Sequence, residues 1–162
     1  MAFSGNFMCT SFKIQLLQGK HDFTNGQDQF KLALYTNTAE PSQTGFNGSG
    51  STMNHSIQNY STSNEVTGAG YSAGGGTALT NTTPSAPGAG TTATTSFATK
   101  TFGSSTITAR GCIIYNTQTA GGSGTTDAVL VLDFVSDKSS SSGNFQINFP
   151  TNDASNAIIR IA

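Results

Sequence analysis

The second half of the chain contains a series of short segments in which apolar and polar residues alternate, and this pattern constrains the fold most strongly. In NFQINFP, for example, Phe145, Ile147 and Phe149 fall on one face and the two amide side chains between them on the other. A repeat of two residues is the period of a half-buried β-strand. The β segments of this half are TITARGCIIYN, AVLVLDFV, NFQINFP and NAIIRIA, divided by TAGGSGTTD and SDKSSSSG. We therefore predict successive strands with loops at the two Gly/Ser/Thr-rich stretches.

The first half contains one equally clear strand, FKLALYTN at residues 30–37. Phe30, Leu32 and Leu34 are predicted to face the core and to meet the apolar residues of NFQINFP and AVLVLDF, whereas Lys31 and Tyr35 are left to the opposite face. AVLVLDF itself is apolar on both faces, so we expect it to be a central strand.

Composition points the same way, because only 9% of the residues are charged, against roughly 25% in typical soluble domains. Long exposed helices usually depend on Glu, Lys and Arg, whereas Thr, Val, Ile and Phe suit strands. About eight strands in 162 residues predict an all-β fold, an antiparallel β-sandwich for which a jelly roll is one arrangement. At most one short N-terminal helix is expected: in TSFKIQLLQG, Thr10 or Ser11 would cap a helix and Gly19 would end it, although the alternating apolar residues also fit a strand.

The predicted organisation is an N-terminal arm at residues 1–11 followed by a single β-sandwich domain at 12–162. Residues 38–63 lack a periodicity that would bury a face, and we expect them to form a surface excursion. The glycines of EVTGAGYSAGGGTALTN predict bulged or tightly bent edge strands rather than a flat central one.

Few residues suit catalysis or ligand binding. GAGYSAGGG lacks the flanking strand, helix and Lys of a phosphate loop, and His21 and Asp22 would point to opposite faces of an extended chain. We expect His21 to be a turn residue that hydrogen-bonds its neighbours. Cys9 and Cys112 are expected to be free thiols. We therefore predict no catalytic residue, no metal ligand and no cofactor.

Charge and hydropathy exclude two classes of partner. A net charge of −1 with seven scattered Lys and Arg provides no basic stripe for nucleic acid. The start, MAFSGNFMCT, lacks the features of a secretory leader, and no stretch approaches membrane-spanning length. Asp133 is expected to pair with Arg110 and Arg160 as a structural charge rather than a catalytic one.

The order of these motifs resembles a family of small structural proteins of tailed bacteriophages. The motifs that carry the resemblance are FKIQLLQGKHDF, FKLALYTN, NEVTGAGYSAGG, TITARGCIIYN, AVLVLDF, SSSSGNFQINFP and AIIRIA. The resemblance implies a non-enzymatic virion component that is made in the host cytoplasm and contacts other virion proteins. The head decoration or cement role is the preferred hypothesis, with binding to the major capsid protein and self-association, for instance as a trimer. A tail fibre or tail-tip component is the alternative.

The candidate interaction residues follow from these hypotheses. In a decoration protein, Phe3 and Phe7 of the arm would be buried against a neighbour. In a tail protein, Phe46, His55 and Tyr60 of the loop at 41–61 would contact a receptor or a longer fibre. The aromatic residues Phe46, Tyr60 and Tyr71 suit contacts with a partner or a sugar, and they equally suit plugs over the sandwich edge. A carbohydrate-binding module is a further alternative, disfavoured by the absence of Trp and the presence of only four Tyr.

Overall fold

The computed structural model describes residues 3, 5–39, 57–74, 76–118 and 125–162 in full, and the backbone alone at 41–42 and 45–46. The predicted all-β, sandwich-like fold is confirmed, with one short α-helix in these ranges. In chain order the elements are β1 (Phe7–Met8), α1 (Thr10–Leu17), β2 (Phe30–Tyr35), β3 (Pro41–Ser42), β4 (Gly45–Phe46), β5 (Thr77–Ala78), a 3₁₀ turn (Pro87–Ala89), β6 (Ala93–Thr95), β7 (Lys100–Asn116), β8 (Asp127–Ile147) and β9 (Ile159–Ile161).

The main sheet has five antiparallel strands in the order β1-β8-β7-β2-β5. Two small antiparallel pairs, β3 with β4 and β6 with β9, lie outside it. The strands are thus divided between one large sheet and two small pairs, which differs from the two equal sheets of a jelly roll. Residues of the β6–β9 pair line a small cavity together with Phe23. Phe23 stacks on Phe30 at 4.3 Å, and Phe97 lies 5.8 Å from Phe30.

The long hairpin of β7 and β8 is the largest element of the sheet. β7 has 17 residues and β8 has 21, and they pair from Lys100 opposite Ile147 to Asn116 opposite Asp127. Register shifts interrupt the ladder, and the largest leaves residues 134–137 of β8 as a bulge. The prediction of a loop at SDKSSSSG was wrong, because the serines continue the strand: Ser139 Oγ lies 2.8 Å from Thr108 Oγ1, and Ser140 Oγ lies 2.7 Å from Ser105 Oγ.

The core is formed by both faces of β2 and by the first half of β8. The predicted inward set of β2, Phe30, Leu32 and Leu34, is fully buried. On the opposite face of β2, Ala33 and Tyr35 are fully buried as well, and Lys31 is half-buried. Both faces of β2 are therefore covered, and its two edges pair with β7 and β5.

The helix α1 ends as its sequence indicated. Gly19 has φ +68°, and the N–H groups of Gly19 and Lys20 donate to the carbonyls of Leu16 and Gln15, which is the Schellman arrangement. The N-cap is Cys9 rather than the predicted Thr10 or Ser11, and its side chain makes no capping bond.

The described residues of the expected N-terminal arm belong to the domain body. Phe7 and Met8 pair with Val131 and Leu130 as strand β1. Phe3 is completely buried, and its ring occupies the space beside Gly111 where any other residue would place a Cβ. In this chain Phe3 therefore completes the core instead of presenting a contact to a neighbour.

The fit of Phe3 predicts that Gly111→Ala is destabilising. A Cβ at position 111 would overlap the Phe3 ring and lie 2.5 Å from the Leu132 carbonyl oxygen. Overpacking of this kind costs about 1–3 kcal/mol, which urea unfolding would measure as a lower midpoint. Gly103→Ala on the same strand is the matched control, because the nearest atom there, Asn144 Oδ1, would be 3.7 Å away. Equal midpoints for the two variants would contradict this packing.

Candidate functional site

The structure describes the side chains of three of the five candidate interaction residues, and they lie in different parts of the fold. Phe3 is in the core, and Phe7 is half-buried in β1. For Phe46 only the backbone, in β4, is described, and His55 lies outside the described residues. Tyr60 is half-buried and stacks on Tyr115 with ring centres 4.4 Å apart.

All four tyrosines of the chain lie around one buried carboxylate, Glu65, which is 6% exposed. We call Glu65, Tyr35, Tyr60, Tyr71 and Tyr115 the tyrosine cluster. Tyr60 donates to Glu65 Oε2 at 2.7 Å, and Tyr71 donates to Oε1 at 2.6 Å. Tyr71 also accepts from the Leu34 N–H at 2.9 Å. Because a buried carboxylate requires such donors, the cluster fixes the loop at 60–74 to strand β2.

The protonation of the tyrosine cluster suits this structural role. Burial raises the pKa of Tyr35, Tyr71 and Tyr115 well above the usual phenol value, and the nearby Glu65 carboxylate adds to the increase. These phenols therefore remain protonated donors at neutral pH. Tyr71, one of the aromatic residues that could have been either a contact or a plug, is 6% exposed and is a plug.

The tyrosine cluster predicts unequal effects for two otherwise identical substitutions. Tyr71→Phe removes a charged hydrogen bond and leaves the buried Leu34 N–H without its acceptor, so we expect a loss of about 2–4 kcal/mol in the free energy of unfolding. Tyr60→Phe, the matched control, removes the Glu65 contact of a half-buried ring, and a smaller loss of about 1–2 kcal/mol is expected. Chemical denaturation of both variants measures the difference. Equal losses would show that the Leu34 contact contributes nothing.

His21 is buried and hydrogen-bonded to two side chains, rather than being the predicted turn residue. Its Nε2 lies 3.0 Å from Gln15 Oε1, and its Nδ1 lies 3.0 Å from Asn116 Nδ2. This series of hydrogen bonds ends at a carboxylate on each side: Gln15 donates to Asp127 at 2.9 Å, and Asn116 donates to Asp28 at 2.7 Å. Because Asn116 Nδ2 is a donor, Nδ1 must accept, and Nε2 carries the proton of a neutral ring.

The charged groups around His21 oppose one another, and burial dominates. Burial lowers the pKa of His21 below its ordinary value of 6.5; Asp127 and Asp28 act to raise it, and Lys20 acts to lower it further. Nothing in this geometry makes His21 a catalytic base, since both ring nitrogens are held by structural partners.

This lowered pKa predicts a loss of stability in acid. As the pH falls below 6.5, the unfolded chain binds a proton at His21 while the folded chain does not, so the free energy of unfolding decreases. Denaturation at a series of pH values should show this slope in the wild type and a weaker slope in His21→Gln. His55→Gln provides the control for the second histidine. An unchanged slope in His21→Gln would contradict a neutral His21.

The expected pairing of Asp133 is confirmed for one partner. Arg110 Nε lies 2.9 Å from Asp133 Oδ1, whereas Arg160 instead donates to the carbonyls of Ala154 and Ser155. Although partial burial acts to raise it, hydrogen bonds from Arg110, Gly5 and Val135 hold the pKa of Asp133 below its usual range. Asp133 therefore fastens the N-terminal segment to β8.

The two cysteines are free and buried, as expected. Burial raises the pKa of Cys9 to about 12 and also raises that of Cys112, so neither thiol is a ready nucleophile. In the described ranges, no group of three or more His, Cys, Asp or Glu side chains is placed to hold a metal ion. No helix in that same part of the chain is long and apolar enough to cross a membrane.

An open groove of about 500 Å³ lies along β8, and we call it the β8 groove. Phe134, Phe145 and Phe149 form its apolar part, and the rings of Phe134 and Phe145 are 6.3 Å apart. Asn144, Gln146 and Asn148 contribute amides. The sequence predicted the alternation of Phe145, Ile147 and Phe149, but it did not predict the bulge at 134–137, which lies beside the groove at Phe134.

No protein-family model, curated protein or solved structure matches this chain significantly. The class that can be stated is therefore that of the fold, an all-β chain with one α-helix in its described part and a groove beside its longest strand.

Proposed function

We propose that the chain is a non-enzymatic structural component of a tailed-phage virion, and head decoration is the preferred role. The observation that carries this proposal is that the groups suited to chemistry are used in structural contacts. Glu65 is held by two tyrosines, His21 by two amides and Asp133 by Arg110. Such a distribution supports a protein that works through its surface. The family resemblance of the strand motifs supplies the virion context.

The surface of the β7–β8 hairpin supports an assembly role. Ser136, Ser139, Ser141 and Ser142 are exposed there, and Val135 is 79% exposed. A surface of hydroxyls and amides beside an apolar groove suits contact with other proteins, because it provides burial in the centre and hydrogen bonds at the rim.

The N-terminal segment does not provide the contact surface that the decoration hypothesis assigned to Phe3 and Phe7. Because Phe3 and β1 are part of the fold, removing residues 1–9 is expected to destabilise the domain and would not separate docking from folding. In the decoration hypothesis the contact surface is therefore the exposed side of the hairpin rather than Phe3 or Phe7.

The two alternatives lack a supporting observation of their own. The tail hypothesis relied on Phe46, His55 and Tyr60, of which only the Tyr60 side chain is described, and it is hydrogen-bonded to Glu65. The carbohydrate hypothesis needed exposed tyrosines, and the tyrosine cluster occupies all four.

Immunogold electron microscopy of the purified particle fraction tests the proposal, using an antibody against the recombinant chain. Gold over the head shell is the expected result. Gold confined to the tail would replace decoration by the tail role, and unlabelled particles, with a positive control for a known shell protein, would overturn the virion proposal.

A further inference from the structure

One edge of β8 is covered along only part of its length. On the edge of β8 away from β7, the Ala128 N–H donates to the Gln58 carbonyl. Strand β1 then pairs with Leu130 and Val131 on the same edge. Asn6 then accepts from the Asp133 N–H at 2.6 Å. From 138 to 147 the described residues provide β8 with pairing from β7 alone. Half of the longest strand thus has an open edge, which is a template for a further strand.

The N-terminal segment leaves this edge at a defined point. Gly5 has φ +85°, and its N–H donates to Asp133 Oδ2 at 3.0 Å. The chain then turns so that Phe3 enters the core beside Gly111. The β8 groove begins at Asn6, where the segment departs, and continues along the open part of the edge to Pro150. An occupant of the edge would therefore continue the pairing that β1 begins.

The bulge at 134–137 places an apolar side chain beside the groove. Val135 has φ +68°, a conformation that is costly for a β-branched residue, and its N–H is held by Asp133 Oδ1 at 2.8 Å. Val135 is nevertheless 79% exposed, so burial within this chain does not compensate for the strain. Bulges commonly redirect a side chain to a contact, and strained residues cluster at binding surfaces.

The chemistry of the open edge fits a second copy of itself. Residues 136–144 read SDKSSSSGN, in which Asp137 and Lys138 cancel in charge. Two such edges bring no net repulsion to each other, and antiparallel pairing of identical edges closes about a twofold axis. Phe149 is half-buried in the groove, beyond the end of β8, and leaves room there for an apolar side chain of the second copy.

We propose that the open edge of β8, residues 138–147, pairs antiparallel with the same edge of a second copy of this chain. The pairing extends the five-stranded sheet across the twofold axis, and Val135 of each copy packs into the β8 groove of the other. This inference deepens the proposed function by naming the surface of self-association, and it rests on that function only for its biological purpose.

Sedimentation velocity of the purified full-length chain over a range of concentrations tests the pairing. We expect a monomer–dimer equilibrium. Asn144→Lys with Gln146→Lys should raise the Kd at least about tenfold, because both copies then bring positive charge to the shared edge. Leu17→Lys is the matched control: Leu17 is 90% exposed on α1 and does not line the β8 groove, so a dimer that uses residues 138–147 should not respond to this substitution.

Hydrogen exchange provides a second readout that does not depend on the variants. Amides of residues 138–147 should exchange more slowly at concentrations where the dimer forms, whereas those of α1 should not change. A chain that is monomeric at every concentration, a dimer that the two lysines leave intact, or protection confined to α1 would each overturn the proposal. None of these results bears on whether the chain is a virion component, which the immunogold experiment tests. The pairing proposal and the virion proposal can therefore fail separately.

Discussion

The pairing of β7 with β8 is the constraint on which the rest of the structure depends. One side of this hairpin accepts β2 and, further along, a bridge from Ala69 to Thr106. The other side accepts β1 and a bridge from Asn59 to Asp127. Most of these contacts join residues far apart in sequence, so they can form only once the hairpin holds its register. The largest bulge of the hairpin, at residues 134–137, contributes Phe134 to the lining of the β8 groove, so the ladder and the proposed contact surface share a residue.

Polar side chains then attach the loops to this frame at a few buried points. The tyrosine cluster fastens the loop at 60–74, and the chain of hydrogen bonds through His21 joins α1 to the strand ends at Asn116 and Asp127. Neutral donors satisfy the buried carboxylates in this way: Tyr60, Tyr71 and the Gly74 N–H donate to Glu65, and Gln15 donates to Asp127. The consequence for function is that these residues are fixed in place, while the exposed hydroxyls, amides and Val135 remain for contact.

The sequence predicted those features that depend on local pattern. Alternation located β2 and the strand containing Phe145 and Ile147, and Gly19 located the end of α1. Features that depend on distant residues were missed. SDKSSSSG has the composition of a loop, yet its serines pair with hydroxyls of β7 and continue the strand. Phe3 was assigned to a free arm because nothing in its neighbourhood reveals the space above Gly111. The tyrosine cluster was likewise not predicted, since its members come from separate segments between residues 35 and 115.

The proposed role is to occupy a place in a virion, and the copy number of the chain in purified particles is the most direct measure of that role. Quantitative mass spectrometry of purified virions, with isotope-labelled peptides of this chain and of the major shell protein, gives the ratio of the two. A decoration protein should be present in many copies, comparable with the shell protein. If the chain is absent from particles that contain the shell protein in full amount, the central claim is contradicted.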